Sequence, residues 1–432
     1  MTFLPFLRRA AAPLVLLGVA ASFSACDLEK ENPNAPTEEE VLTELQGILA
    51  LAVGIQAQFA GAVEDFIAPP ALVTDEWGTR TRALLSYRSL VTGQSIEPSF
   101  DVVEQPFVET YEIVRSANNL IERAPQVGLG AGLETGIVAL AKLLKAMSLG
   151  MSILQYDQVP LDVSGDAPLP APRAVVLDTV LGLLESARAD VAATSAADLA
   201  EFRSRVLGRD FDLPNTIEAM LARYYLTAGR YAEAVVAADR VNLGVLSRLT
   251  YTDTNQNPIY NLSTQLIYVA ALASFAAEAD SGDARVEFWV DTSAEPFVGN
   301  PDSLLLPFNQ YAEPTDPYPV YLPDEIKLIK AEALARLGQL EAAAALVNEV
   351  RTQASSALDE PVAGLPPLEA GQLDTLEELL AAIAYERRYE LYMQGLRWED
   401  TRRLGEAVTV TPTIAFLPYP DLECTANPAV PC

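Results

Sequence analysis

The sequence has no histidine and only three cysteines among its 432 residues. Without an imidazole there is no Ser-His-Asp or Cys-His couple, no ordinary proton shuttle near neutral pH and very little scope for zinc, since these chemistries draw on histidine. No glycine-rich phosphate loop and no Gly-x-Ser-x-Gly elbow occurs either, which removes the common nucleotide-binding and serine-hydrolase readings. Basic residues are scarce: 29 Lys and Arg face 59 Asp and Glu, a formal charge of -30. Such a chain would repel nucleic acid, whose phosphates need clustered Lys and Arg. Acids are plentiful enough to leave a carboxylate-pair glycosidase open, but no pair is singled out, and no acidic spacing suits a calcium loop. No cofactor and no metal is expected, and ligand binding without turnover is the better reading.

Hydrophobic residues make up 50% and charged residues 20% of the chain, ample for a buried core. Residues 1–25 combine Arg8 and Arg9 with an apolar run from Ala10 to Val19 and small residues before Cys26, the pattern of an export signal rather than a span. The Ser24-Ala25-Cys26 approach resembles a lipobox, which implies that Cys26 becomes the lipidated first residue of the mature chain. Residues 26–36 are polar, acidic and proline-punctuated and read as an extended tether, leaving 37–432 as a single domain. Cys424 and Cys432 lie close together near the end of an exported chain, where disulfides persist, and are expected to pair.

Along the domain, apolar residues recur at three- and four-residue spacing over 38–62, Phe107 to Ile121, Leu133 to Tyr156 and Val175 to Ala193, predicting helices. The first of these is expected to be followed by a break at Pro69-Pro70. Lys142 and Lys145 argue against a membrane span in the third helix. Ile217 to Arg240 and Pro323 to Arg351 each predict two helices joined at a glycine, Gly229 and Gly338, with small alanines where the pair must approach. Both resemble tetratricopeptide units. They are not in tandem, which predicts an all-α scaffold of such helix pairs carrying long irregular loops.

The loops concentrate around 242–322, where Asn, Pro, Gly and aromatic residues replace helical periodicity, apart from a helix-like run near Gln265 to Ala277 and some short strands. Long irregular segments in a compact protein are functional or disordered, and dense aromatics favour order. Tyr260, Trp289, Phe308, Tyr311 and Tyr318, with Trp77 and Arg80 from an earlier polar stretch, are therefore the candidate ligand-binding residues.

The most unusual stretch is Ala381 to Gly405. An apolar stripe, Leu376, Leu379, Leu380, Ile383, Ala384 and Leu391, marks a helix running into Met393 and stopped by Gly395. Acids and guanidiniums crowd around it: Glu386, Arg387, Arg388, Glu390, Arg397, Asp400, Arg402 and Arg403, with Trp398 among them. Lysine is absent, which suits arginine forks that hold carboxylates or helix-end carbonyls between packed helices. Glu386 and Glu390, one helical turn apart, lie side by side and not across a cleft, which speaks against an acid/base pair.

This stretch resembles the C-terminal signature of the SusD/RagB family, lipoproteins that cap TonB-dependent nutrient transporters. Residues Asn32-Pro33-Asn34 with Pro36 and Thr37, the Tyr111 to Ile121 helix, and Pro418, Pro420, Glu423 and Asn427 resemble further family elements. The resemblance implies an all-α, tetratricopeptide-like SusD fold with variable loops and no enzymatic activity. It implies a lipid-anchored protein of the outer membrane, exposed at the surface, that passes an oligosaccharide or peptide to a SusC-like TonB-dependent transporter. The alternative is an exported all-helical glycan hydrolase using loop carboxylates.

Overall fold

The computed structural model describes residues 42–163, 168–369, 371–427 and 430. The expected signal, the tether with Cys26, and Cys432 lie outside the described residues. The chain is mostly helical, as expected. Twelve of its helices carry the argument: α1 (Leu45–Gly61), α2 (Val63–Val73), α3 (Leu85–Thr92), α4 (Asp101–Arg123), α5 (Ala131–Gln155), α6 (Arg173–Ala192), α7 (Leu213–Thr227), α8 (Tyr231–Ala238), α9 (Pro323–Arg336), α10 (Leu340–Thr352), α11 (Leu376–Glu390) and α12 (Arg397–Leu404).

From α4 onward each helix packs on the next, α4 on α5, α5 on α6, α6 on α7, α7 on α8, α8 on α9, and α9 on both α10 and α11. The two repeat-like pairs, α7/α8 and α9/α10, thus stack directly although the whole irregular region separates them in sequence. Gly229 and Gly338 turn the chain with φ of 72° and 77°, a left-handed conformation that glycine adopts without steric cost. One apolar cluster runs from Leu42 to Leu417. Helix α5 is long and apolar enough to cross a membrane, but 89% of its most apolar window is buried by its neighbours. Its Lys145 reaches Asn118 Oδ1 at 2.7 Å and Asp162 Oδ2 at 3.2 Å, so this core helix carries a satisfied cation.

Two expectations about local structure change. The chain does not break at Pro69-Pro70: α2 continues through both to Val73. Each proline removes an N–H that would bond four residues back. The carbonyl freed at Asp65 accepts Gln155 Nε2 at 3.1 Å. The one freed at Phe66 faces Gly395, where an added Cβ would lie 2.8 Å from that oxygen. Gly395, at φ 68°, is therefore both the turn after α11 and the only residue type that lets the turn sit against the proline-interrupted helix. The helix-like run near Gln265 to Ala277 is instead a π turn at Asn261–Gln265, a strand, and a single helical turn at Ala273–Ala277; its β-branched and small residues suit a half-covered strand.

That strand belongs to a four-stranded antiparallel sheet built from β1 (Trp77–Thr79), β2 (Val269–Leu272), β3 (Phe297–Val298) and β4 (Leu304–Leu306), in the order β1-β2-β4-β3. Trp77 pairs with Ala271, which pairs with Leu306, and this face lies on the core. Gly78, Leu272, Leu305 and Phe297 share the other face by the alternation of strands. Gly78 is required there: a Cβ would lie 2.4 Å from Leu305 Cδ2.

Candidate functional site

The signature stretch forms a buried ionic framework, as its arginine content predicts. A capping box between Thr375 and Glu378 starts α11, and the helix ends at Glu390, short of the expected Met393. Arg285, fully buried, bridges Asp283 at 2.7 Å, Glu386 at 2.7 Å and Glu390 at 3.6 Å. Arg351 joins Glu386 at 2.9 Å to Asp280 at 2.5 Å. Arg387 holds Asp400 at 2.9 Å, and Arg403 connects Asp400 at 2.5 Å to Glu332. Arg402 donates to the carbonyls of Leu154 at 2.8 Å and Ala415 at 2.6 Å, tying the end of α5 to the C-terminal segment. Its guanidinium lies between Trp398 and Phe416, 4.7 and 4.4 Å from their ring centres. Arg388 pairs with Glu278 at 2.6 Å. Glu386 and Glu390 both face Arg285, side by side, and burial pushes both carboxyls above the usual range. The framework holds elements together and presents no acid and base across an opening.

The aromatic candidates are brought together, but mostly as core. Trp77 is fully buried on the inner face of β1, 5.2 Å from the half-buried Phe308. Phe308 leads to Tyr392 at 6.5 Å and Tyr392 to Trp289 at 6.1 Å. Trp289 is 1% exposed and donates Nε1–H to Tyr389 O at 2.8 Å. Tyr311 and Tyr318 pack at a tilt with ring centres 5.8 Å apart, both buried, with Tyr318 Oη donating to Met393 O at 3.0 Å. Trp77, Trp289, Tyr311 and Tyr318 are thus corrected from ligand platforms to packing residues: rings covered on both faces have no face left for a sugar. Tyr260 is half-buried in the short Pro258–Tyr260 helix.

Arg80 is the candidate with an outward role. It follows β1, its N–H donates to Tyr268 O at 2.8 Å, and its guanidinium carbon lies 4.3 Å from the Phe297 ring centre. Among the described residues it makes no ion pair, in a chain rich in acid, and partial burial lowers its pKa. Tyr268, half-buried, packs 5.5 Å from Tyr87. Val298 and Leu304, 58% and 57% exposed, pair across β3 and β4 on the opposite face of the sheet from Phe297. Leu84 and Leu85, at the start of α3, which packs on β1, are also exposed. The result is an amphipathic platform at the sheet edge: a cation held over one ring, a second ring and hydroxyl, and an apolar border. Tyr268 and Phe297 are not among the expected site residues. Phe297 sits in a Pro-Phe-Val-Gly run whose turn residues signal a short exposed strand, the one sequence clue to it.

Cys424 is disulfide-bonded. Among the described residues no cluster of His, Cys, Asp and Glu is placed to hold a metal ion.

Comparison with known proteins agrees with this architecture. The family model described as the SusD family matches residues 318–415, the segment holding α9 to α12. The crystal structure of a SusD superfamily protein from Bacteroides thetaiotaomicron superposes with a TM-score of 0.67 at 17% identity, covering 89% of this chain and 98% of that one. A SusD-like carbohydrate binding protein from Bacteroides vulgatus gives 0.69 at 14% identity, covering 90% and 97%. A laminarin binding SusD-like protein gives 0.66 at 17% identity, covering 89% and 98%. No curated protein matches the sequence. The fold is thus that of the SusD superfamily, an all-α helical-repeat scaffold with inserted loops. Residues 318–415 are thus similar to the SusD family, and the chain shares the fold of the solved SusD-like proteins.

Proposed function

We propose that this protein captures an oligosaccharide at the sheet-edge platform and delivers it to a SusC-like TonB-dependent transporter. The observation that carries the reading is Arg80, an unpaired guanidinium held over Phe297 beside Tyr268 and an exposed apolar border. Sugar rings offer apolar C–H faces to an aromatic ring and hydroxyls to a guanidinium, so one such pair supplies both kinds of contact. The likeness to proteins described as carbohydrate binding and laminarin binding supports a glycan over a peptide. Lipidation at Cys26 and a disulfide from Cys424 to Cys432 complete the reading: one tethers the domain to the outer membrane at the cell surface, the other closes the C-terminus. The reading is capture without turnover, with Glu386 and Glu390 engaged by Arg285 and not offered as an acid/base pair.

Isothermal titration with a panel of oligosaccharides that includes laminarin fragments tests capture. Phe297→Ala and Arg80→Ala are each expected to weaken binding by roughly tenfold, about 1.4 kcal/mol. Glycan binding that both variants leave intact would move the site elsewhere, and no binding to any glycan would remove capture altogether.

A further inference from the structure

A second opening lies on the other side of the β1 to β2 corner. It is a cleft of about 360 Å³ between the turn after α2, the end of β2, and residues 409–410, and its lining is mainly polar. Arg397, at the head of α12, reaches it and is only 6% exposed. Every other arginine in the α11 to α12 stretch holds a carboxylate. Arg397 does not: its one hydrogen bond runs from Nη1 to Ala384 O at 3.3 Å. Among the described residues no partner takes its Nε and Nη2 edge, the fork that fits a planar carboxylate with two parallel bonds.

The surrounding groups do not fill that edge. Glu278 is taken up by Arg388 at 2.6 Å, and Asp75 is exposed at the rim. Two carboxyls act on Arg397 through space, Glu76 and Asp400; Asp400 is held by Arg387 and Arg403, while Glu76, buried, forms no ion pair with Arg397 and its Oε2 has no hydrogen-bond partner among the described residues. Burial pushes Glu76 up to about 8, so at neutral pH it supplies little countercharge. Burying a guanidinium without a counter-ion is costly, and a ligand carboxylate in the cleft would relieve that cost. Thr409, exposed, and Ser274, half-buried, line the same opening and offer hydroxyls to the rest of such a ligand.

We infer that this cleft binds the carboxylate of a small ligand through the free edge of Arg397. Two sources share that chemistry, an acidic sugar and a free amino acid or short peptide. The site is separate from the Arg80 platform, and its test does not depend on glycan capture there.

The full mature chain would be titrated calorimetrically with sodium glucuronate, with the dipeptide Ala-Ala, and with glucose as the uncharged control. Binding of glucuronate or of Ala-Ala with a Kd on the order of 1 mM or tighter is expected, together with no heat from glucose. Which of the two binds identifies the source. Thr409→Trp fills the cleft from its exposed rim without touching the ionic framework, and is expected to weaken binding at least tenfold while the melting temperature is unchanged. Arg397→Lys, which keeps the charge and loses the fork, should weaken it too. If neither carboxylate binds, if glucose binds as well as glucuronate, or if Thr409→Trp folds and binds like the parent, the inference is overturned.

Discussion

Two regions of this molecule spend charge in opposite ways. In α11 and α12 the arginines are buried and nearly all are matched to carboxylates or helix-end carbonyls. At the sheet edge Arg80 has no carboxylate and rests on a ring. The paired guanidiniums lock helices that arrive from distant parts of the chain, and little of them remains for a ligand. The unpaired one leaves its donors open. Arginine abundance alone therefore marks the scaffold, and arginine isolation marks the place to look for binding.

The comparison breaks most visibly at Arg285. Arg285→Ala would leave Asp283, Glu386 and Glu390 buried without their shared cation. A loss of about 3–5 kcal/mol is expected, read from urea unfolding, because an uncompensated buried charge is far costlier than the pair is favourable. A loss below 1 kcal/mol would mean that the framework is decoration.

A middle-sized effect comes from the buried acids without a partner. Glu76 and Glu64 have carboxyls raised from 4.5 to about 8 and about 7, both mainly by burial. The native state keeps these protons where the unfolded chain has lost them. Their contribution is thus full below about 4.5, and stability falls as pH rises toward 7 and 8. Glu76→Gln removes one of these terms and should reduce the loss between pH 5 and 8 by roughly 3 kcal/mol, seen as a flatter dependence of unfolding free energy on pH. Equal slopes for the two proteins would show that Glu76 is charged in the fold.

The smallest stability effect belongs to the platform. Phe297→Ala, the substitution expected to weaken glycan binding, should change unfolding free energy by about 1 kcal/mol or less, since the ring is half-exposed and carries the Arg80 guanidinium. A loss as large as that of Arg285→Ala would make Phe297 a packing residue and blur the contrast.

Much of the scaffold was legible. The helical stripes predict α5 and α6 within two residues and α4 apart from its first six residues, and the two glycine-turned pairs predict α7 to α10. The arginine-rich stretch also predicts its own role, because arginine forks among carboxylates with no lysine have few other uses. The candidate site was less legible. Trp77 stands among polar residues and Trp289 in an aromatic-rich irregular stretch, yet both are core, while Phe297 is marked only by the turn residues beside it. A ring's neighbours along the chain say little about what covers its faces. Proline was misleading for a related reason: Pro69 and Pro70 stay helical where Gln155, far away in sequence, donates to the carbonyl orphaned at Asp65 and Gly395 leaves room beside the one at Phe66.

The sequence by itself determined the helices, the class of fold and the exclusion of histidine-based chemistry, since periodicity and composition are properties of short segments or of the whole chain. Only the tertiary structure decided which aromatics are covered, that Arg80 meets Phe297 across a sheet, and that Arg397 is left without a carboxylate. Those outcomes depend on register and on which distant surface arrives first, and long-range packing, unlike an i,i+4 pattern, leaves no local mark in the chain.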